Sequence, residues 1–222
     1  MKLATAILTV LMASVMFGKP IRSSLGADNA KGGGEALPYD AEVEWIESVK
    51  PAYIDTGIKF LVSYSIALDM AFIEGSSNLD SGLGSTGDSI CTLRVWSGVN
   101  QIQFNWYGGF NTLVSDSAEL YSRHLYECNQ RGILLDGIQK SSSPPNRDSP
   151  SSLKLAAYND GNTERQGKCR YWGFQIFGSD GTPIIDFVPV RIGDEGFMYD
   201  RVSGKVFGNV MSTGGFLPGP DL

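Results

Sequence analysis

The side chains from Val62 to Phe72 alternate strictly, and this alternation constrains the fold more than any other feature of the chain. Every even position holds a large apolar residue, and every odd position holds a small or polar one. Successive side chains of a β-strand point to opposite faces, whereas a helix would scatter these apolar residues around its circumference. We therefore predict a central strand of a large antiparallel sheet. One face enters a core; the other, with Asp69, lies open to solvent or forms the floor of a shallow groove.

Short strand-like segments separated by turn signals make up the rest of the domain. They cover 42–47, 52–55, 90–96, 101–107, 120–128, 132–135, 138–140, 153–158, 169–177 and 184–190, and the loops are predicted at 76–88 and 141–152. Asp136-Gly137 is the strongest hairpin signal, because this dipeptide accepts the positive φ angles of a tight turn. No long amphipathic helix pattern is present. These features predict an all-β fold, either a sandwich or a barrel.

Residues 1–26 have the pattern of a signal peptide. A basic start is followed by an uncharged apolar run over 4–17, which is shorter than the ~20 residues needed to span a bilayer. Cleavage is predicted after Gly26, with Gly18 as the other candidate, and an uncleaved N-terminal anchor is the alternative. We expect an exported protein, secreted, periplasmic or at the cell surface, with no transmembrane segment after the leader is removed.

The segment 27–40 is predicted to be a flexible lead-in, because its consecutive glycines lose much conformational entropy on ordering. The remaining residues, 41–222, are expected to form one β-sandwich domain. The Ser/Pro-rich loop at 141–152 is not a domain boundary, since too little chain follows it to build a second core.

The charge balance argues against nucleic acid as a partner. The formal net charge is −6 at pH 7, and the predicted leader contains basic residues (Lys2, Lys19 and Arg22) but no acid. The mature chain is therefore more acidic still, and it repels phosphate backbones and anionic lipid surfaces.

The cysteines and the histidine give no metal motif. Cys91, Cys128 and Cys169 allow at most one intramolecular disulfide, so in an exported protein one would stay free or pair with another chain. Their wide spacing fits no zinc site, and His124 is the single histidine. We predict that His124 is a surface or strand residue rather than a catalytic base.

Two ends of the chain carry motifs of a known family. The N-terminal motif is Glu44-Trp45-Ile46-Glu47-Ser48 followed by 52–58, and the C-terminal motif covers 186–191, 196–209 and 219–221. They resemble the concanavalin A-like, laminin-G-like jelly-roll domains of secreted bacterial proteins. The resemblance covers roughly Glu42 to Asp221, with a weaker match in the middle at 104–108 and 169–173.

The resemblance implies a jelly-roll β-sandwich of two curved antiparallel sheets packed face to face. It implies no particular activity, because one fold hosts many functions. Within the C-terminal motif we predict a capped turn, in which Asp200 accepts backbone N–H groups and Gly204 takes a positive φ.

Jelly-roll glycosidases similar to laminarinases carry Glu-x-Asp-x-x-Glu on one long strand, which places two carboxyl groups ~5.5 Å apart. Here Asp69 stands at the middle position, but Ala67 and Phe72 occupy the flanking ones. This departure argues against that enzyme class. The alternative is a glycoside hydrolase in which Asp69 works with Glu74 or Glu119. A nucleophilic triad would need His124, yet no Gly-x-Ser-x-Gly elbow is present.

Sugar-binding sandwiches combine aromatic platforms with polar side chains. We predict Asp69, Trp96, Trp106 and Tyr107 as ligand-binding residues, and packing in the core is the alternative for each aromatic. No cofactor is predicted; calcium is the alternative, held by the loop acids Asp80, Asp88 and Asp116.

The leading hypothesis is an exported, non-catalytic β-sandwich module that binds a carbohydrate or another cell-surface ligand. The alternatives are the hydrolase with atypical carboxylates and a purely structural or adhesive surface module. In the last case the odd cysteine would suit covalent pairing between chains.

Overall fold

A computed structural model describes residues 36–74, 80–85, 91–96, 101–106, 110–116, 119–143, 145–157 and 166–222. At 74, 80, 106 and 110 the description covers the backbone alone. The predicted signal peptide, and the lead-in up to residue 35, lie outside the described residues.

The described residues form seventeen β-strands. They are β1 (Ala41–Glu42), β2 (Ile46–Val49), β3 (Ile54–Lys59), β4 (Ser65–Glu74), β5 (Asp80–Gly84), β6 (Cys91–Trp96), β7 (Gln101–Trp106), β8 (Phe110–Val114), β9 (His124–Asn129), β10 (Gly132–Leu135), β11 (Ile138–Ser141), β12 (Ser152–Leu155), β13 (Lys168–Phe177), β14 (Pro183–Ile192), β15 (Glu195–Asp200), β16 (Lys205–Phe207) and β17 (Gly215–Pro218). Within this described part, no helix is long and apolar enough to cross a membrane.

The strands form two antiparallel sheets. The larger sheet runs β11-β10-β9-β4-β13-β14-β15-β16, with β2 and β17 beside the start of β13 and β1 beside β14. The smaller sheet runs β3-β12-β5-β6-β7-β8. Their apolar faces meet in one core, to which both sheets contribute fully buried side chains. The predicted all-β sandwich of two antiparallel sheets is confirmed.

The central strand of the larger sheet is β4, as the alternation predicts. Ile66, Leu68, Met70 and Phe72 are buried in the core. The strand begins at Ser65 rather than at residue 62, because a turn closed by a 2.9 Å hydrogen bond from Tyr64 N to Leu61 O precedes it. The odd positions face away from the core, which gives β4 an outer face on the larger sheet.

The prediction of a loop over 76–88 is wrong in its middle, where β5 pairs with β6 and β12. The glycine at position 82 is the reason. A Cβ there would lie 2.6 Å from the sulfur of Met70, which reaches across the core from β4. Gly82 therefore reflects close approach of a core side chain and not a turn. The ends of the predicted loop lie outside the described residues.

Two turn predictions are confirmed. Asp136 and Gly137 join β10 to β11 with φ angles of 51° and 77°, as a two-residue hairpin requires. Asp200 accepts hydrogen bonds from Val202 N (3.2 Å) and Ser203 N (3.2 Å), and Gly204 has φ 72°. The Asp200 turn is thus explained by backbone capping alone.

The three cysteines are free and buried. Burial raises the pKa of the Cys91 and Cys128 thiols above the usual range, which makes both unreactive. None of the three thiols reaches the surface, which argues against a disulfide between two chains.

Candidate functional site

The predicted ligand residues do not converge on one site. Asp69 lies on β4, on the outer face of the larger sheet. Trp96 ends β6 in the smaller sheet, and because Leu93 and Val95 enter the core, Trp96 points away from it. The two side chains are therefore on opposite sides of the sandwich. Trp106 ends β7, but its side chain lies outside the description, as does the whole of Tyr107.

Asp69 is engaged by an arginine. Arg123 donates from Nε to Oδ1 (2.7 Å) and from Nη2 to Oδ2 (2.6 Å), and its guanidinium lies 4.5 Å from the ring centre of Trp172. The Asp69 side chain is 9% exposed and that of Arg123 is 42% exposed. The hydrogen bonds to Asp69 raise the pKa of Arg123. The Asp69 side chain is therefore held in place by its two hydrogen bonds to Arg123.

A second cluster of the same composition lies beside it. Arg170 donates to Oε2 of Glu47 (2.6 Å) and stacks on the ring of Trp45 at 3.8 Å. Gly219 packs against the same ring, where a Cβ would come within 2.7 Å of it. Each cluster therefore places an ion pair on the outer face of the larger sheet. In each pair the arginine donates hydrogen bonds to the carboxylate. Arg123 and Arg170 were not predicted as site residues, because the acid that each one binds lies far away in the sequence.

The hydrolase alternative gains no support from these carboxylates. Within the described part of the chain, the hydrogen bonds of the Asp69 carboxylate go to Arg123 and not to another acid. Glu119 is exposed in a turn, and the side chain of Glu74 lies outside the description.

His124 is a buried residue at the start of β9, with both ring nitrogens engaged. Nδ1 lies 2.7 Å from Oδ2 of Asp136, and Nε2 lies 3.1 Å from the carbonyl oxygen of Glu119. A carbonyl only accepts hydrogen bonds, so Nε2 carries a proton directed at the backbone. Among the described residues, the His–Asp pair therefore meets no nucleophile in the arrangement of a catalytic triad.

Polar side chains occupy the outer face of the smaller sheet, and we call this face the polar face. Its described members all lie opposite the core on the six strands of this sheet: Asp55, Lys154, Ser81, Thr92, Arg94, Trp96, Gln101, Gln103, Asn105 and Thr112. The register sets them in rows across the sheet: Thr92 opposite Asn105, Arg94 opposite Gln103, and Trp96 opposite Gln101.

A hydrogen-bonded ladder crosses the polar face. Arg94 donates to Oε1 of Gln103 from Nη2 (3.0 Å) and Nε (3.3 Å). Gln103 Nε2 then donates to Oε1 of Gln101 (2.9 Å), which also accepts from the hydroxyl of Thr112 (3.3 Å). Trp96 is 37% exposed, and the Arg94 guanidinium lies 5.5 Å from its ring centre. The ladder therefore places fixed polar groups beside an accessible indole.

Several side chains of the polar face are shielded even though they lie outside the core. Lys154 is 1% exposed and pairs with Asp55 at 3.9 Å. Thr92 and Gln103 are also buried. Thr92 Oγ1 has no hydrogen-bond partner, and an unpaired buried hydroxyl costs about 1–3 kcal/mol. Fixed polar groups, one unpaired hydroxyl and an open indole are the elements from which ligand sites are built.

No metal cluster emerges from the described residues, which contain no group of three His, Cys, Asp or Glu side chains placed to hold an ion. Of the predicted calcium ligands, Asp116 is exposed after β8 and its carbonyl oxygen accepts from Glu119 N (3.1 Å). The side chain of Asp80 and all of Asp88 lie outside the description, so calcium binding stays a prediction.

Sequence analysis found Trp96 but missed the ladder beside it. The signal is present in the sequence, because polar residues alternate with apolar ones along both 91–96 and 101–106. The alternation does not show in which register the two strands pair, and this register sets Arg94 opposite Gln103.

Comparison with known proteins supports the fold and not a family. No protein-family model matches the chain, and no curated protein sequence matches it. Among solved structures, the chain is similar to a "putative carbohydrate binding protein from Bacteroides ovatus ATCC 8483", with a TM-score of 0.55 and 10% identity. The match covers 80% of this chain and 60% of that one. An alginate lyase, AlgAT5 from polysaccharide lyase family 7, matches with a TM-score of 0.38 and 14% identity, over 59% of this chain and 61% of that one.

Proposed function

We propose that this protein is an exported carbohydrate-binding module that holds its ligand on the polar face. The observation that carries the proposal is the Arg94–Gln103–Gln101–Thr112 ladder beside the exposed ring of Trp96. A pyranose has an apolar face that packs on an indole and hydroxyl groups that bond to amides and guanidinium groups. Side chains already fixed by hydrogen bonds lose little conformational entropy when the ligand binds.

The remaining parts of the proposal come from the sequence and from the likeness in fold. The apolar leader over 1–26 is typical of export to the periplasm, the cell surface or the medium. The motifs at both ends of the chain favour the concanavalin A-like, laminin-G-like type of sandwich. The Bacteroides ovatus structure, described as carbohydrate binding, shares the fold at a TM-score of 0.55. We further propose that the module is non-catalytic, because the Asp69 carboxylate is held by Arg123.

Binding of the purified protein to a broad glycan panel, with calcium and with chelator, tests the proposal. Trp96→Ala and Gln101→Ala should each weaken binding about tenfold, since each removes a contact worth about 1–2 kcal/mol. Tyr121→Ala and Gln139→Ala are the matched controls, because both residues are exposed and neither belongs to a strand of the smaller sheet.

Three outcomes are informative. Binding that is lost in the first two variants and kept in the controls supports the proposal. Absence of binding across the panel in both buffers contradicts it and favours the structural module. Release of reducing sugar from a bound glycan would contradict the non-catalytic part alone.

A further inference from the structure

The exposure of the polar face falls along its two central strands. On β6, Trp96 is 37% exposed, Arg94 is half-buried and Thr92 is only 2% exposed. On β7, Gln101 is half-buried, whereas Gln103 is 5% exposed. The register brings the more exposed ends of the two strands together, because Trp96 lies opposite Gln101. The polar face is therefore open at its Trp96 end and closed at its Thr92 end.

The closed end contains a hydroxyl group without a partner. Thr92 Oγ1 is buried and makes no hydrogen bond. The side chain points away from the core, because its neighbours Cys91 and Leu93 enter the core. The residue opposite it on β5 is Gly84, which adds no side chain to this row. Buried hydroxyl groups are normally paired, which makes this one a candidate contact for a ligand group.

The open end offers an apolar platform and a hydrogen-bond donor. The Oε1 atom of Gln101 accepts from Gln103 Nε2 and from the hydroxyl of Thr112, which fixes the orientation of the Gln101 amide. Its Nε2 atom donates no hydrogen bond within the described part of the chain. It lies in the same row as the exposed indole of Trp96.

The distance between the two ends exceeds one sugar ring. Thr92 and Trp96 are four residues apart on β6, which corresponds to about 13 Å at about 3.3 Å per residue. A ligand that contacts both ends is therefore an oligosaccharide and not a monosaccharide. Because the face is closed at Thr92, a chain that reaches this hydroxyl ends there.

We propose that the polar face takes the end of a glycan chain, and this rests on the proposed function. An inner sugar packs on Trp96 and accepts a hydrogen bond from Gln101 Nε2, and a hydroxyl of the terminal sugar pairs with Thr92 Oγ1. A sugar hydroxyl and a threonine hydroxyl can each donate or accept, so the two groups are complementary. An internal stretch of a glycan would have to leave the face past Thr92, where the polar side chains are buried.

The number of protein molecules that bind one glycan chain tests the proposal. The probes are linear glucan, xylan and mannan oligosaccharides, and any further glycan that the panel detects, each as a tetramer and as a dodecamer. They are titrated into the purified protein by calorimetry. A site for a chain end should bind one protein per chain at both lengths. A site for internal sugars, with a length of about 13 Å, would let several protein molecules bind to one dodecamer.

The variant Thr92→Val tests the contact at the closed end. It replaces the hydroxyl with a methyl group of similar size, and it should weaken binding of the tetramer about tenfold because one hydrogen bond is lost. It should not lower Tm, since the hydroxyl has no partner in the free protein. Thr56→Val is the matched control. Thr56 is equally buried in the same sheet, but its Oγ1 accepts from Ile58 N (3.2 Å), so its replacement should lower Tm slightly and leave binding unchanged.

Each outcome decides one part of the proposal. One protein per dodecamer, with weaker binding by Thr92→Val, supports it. Several proteins per dodecamer overturn the chain-end inference and leave carbohydrate binding standing. Unchanged affinity of a folded Thr92→Val variant overturns the contact at Thr92. A panel on which no glycan binds overturns the proposed function as well. The stoichiometry is measured on the wild-type protein, so it does not depend on whether the variants fold.

Discussion

Replacing Asp69 with asparagine distinguishes a structural carboxylate from a ligand-binding one. The change keeps the shape of the side chain but removes its charge and one of the two acceptors for Arg123. Each charge-assisted hydrogen bond contributes about 1.5–3 kcal/mol when it is well shielded. Arg123 is 42% exposed and stays partly hydrated, so the net loss is discounted to about 1–2 kcal/mol. For a domain of this size that lowers Tm by about 2–8 °C.

Thermal and urea unfolding measure this loss, with Asp221→Asn as the matched control. Asp221 makes the same two-point contact with Arg191, at 2.6 and 2.8 Å, but it is exposed. Its replacement should therefore shift Tm less than the replacement of Asp69. A double-mutant cycle with Arg123→Met should give a coupling energy of about 1 kcal/mol.

Glycan binding provides the second readout of Asp69→Asn. We expect glycan binding to be unchanged, because Asp69 and the polar face lie on opposite sides of the sandwich. Equal Tm shifts for Asp69→Asn and Asp221→Asn, together with lost glycan binding, would refute the structural role and move the ligand site to the larger sheet.

Three further predictions concern the backbone, the thiols and alkaline pH. Gly214→Ala should destabilise the fold strongly, because its Cβ would lie 1.9 Å from the carbonyl oxygen of Pro51. A Cβ at Gly193 would have nothing within 4 Å. Gly193→Ala should therefore lower the free energy of unfolding, measured in urea, only by the cost of a left-handed backbone conformation, about 1–2 kcal/mol. A thiol reagent should label no cysteine in the native protein and three in denaturant, and a native-state adduct would contradict the burial of the thiols. Burial and the nearby Glu42 raise the pKa of Tyr39 from 10.0 to about 12. Between these two values the folded state keeps a proton that the unfolded state loses, so the free energy of unfolding should fall as the pH rises from 10 to about 12. Tyr39→Phe should flatten this slope, and an unchanged slope would exclude Tyr39 as its cause.

The fold was predictable from the sequence wherever the pattern within a single strand or turn is enough to define that element. The alternation around β4, the Asp136-Gly137 hairpin and the Asp200 turn depend on local chemistry, and each is confirmed. The strand β5 was not predictable, because Gly82 is explained by Met70, a residue from the opposite sheet. The late strands β15 to β17 were missed because they lie between glycine-containing turns, which dominate the sequence pattern there.

The site was harder to predict than the fold, because it depends on register. Asp69 stands out in the sequence as the one acid between Val62 and Phe72, and the structure explains it through Arg123, fifty-four positions away. The ladder joins residues that look unremarkable separately, and only the pairing of β6 with β7 brings Arg94 to Gln103. No pattern within either strand contains that information.

Mapping of backbone amide shifts during titration with a glycan would locate the ligand on one of the two sheets. We expect the perturbed amides to cluster in β6, β7 and β8, around Trp96, Gln101 and Gln103. Perturbations centred on β4 and β13 at the outer face of the larger sheet, or no perturbation with any glycan, would contradict it.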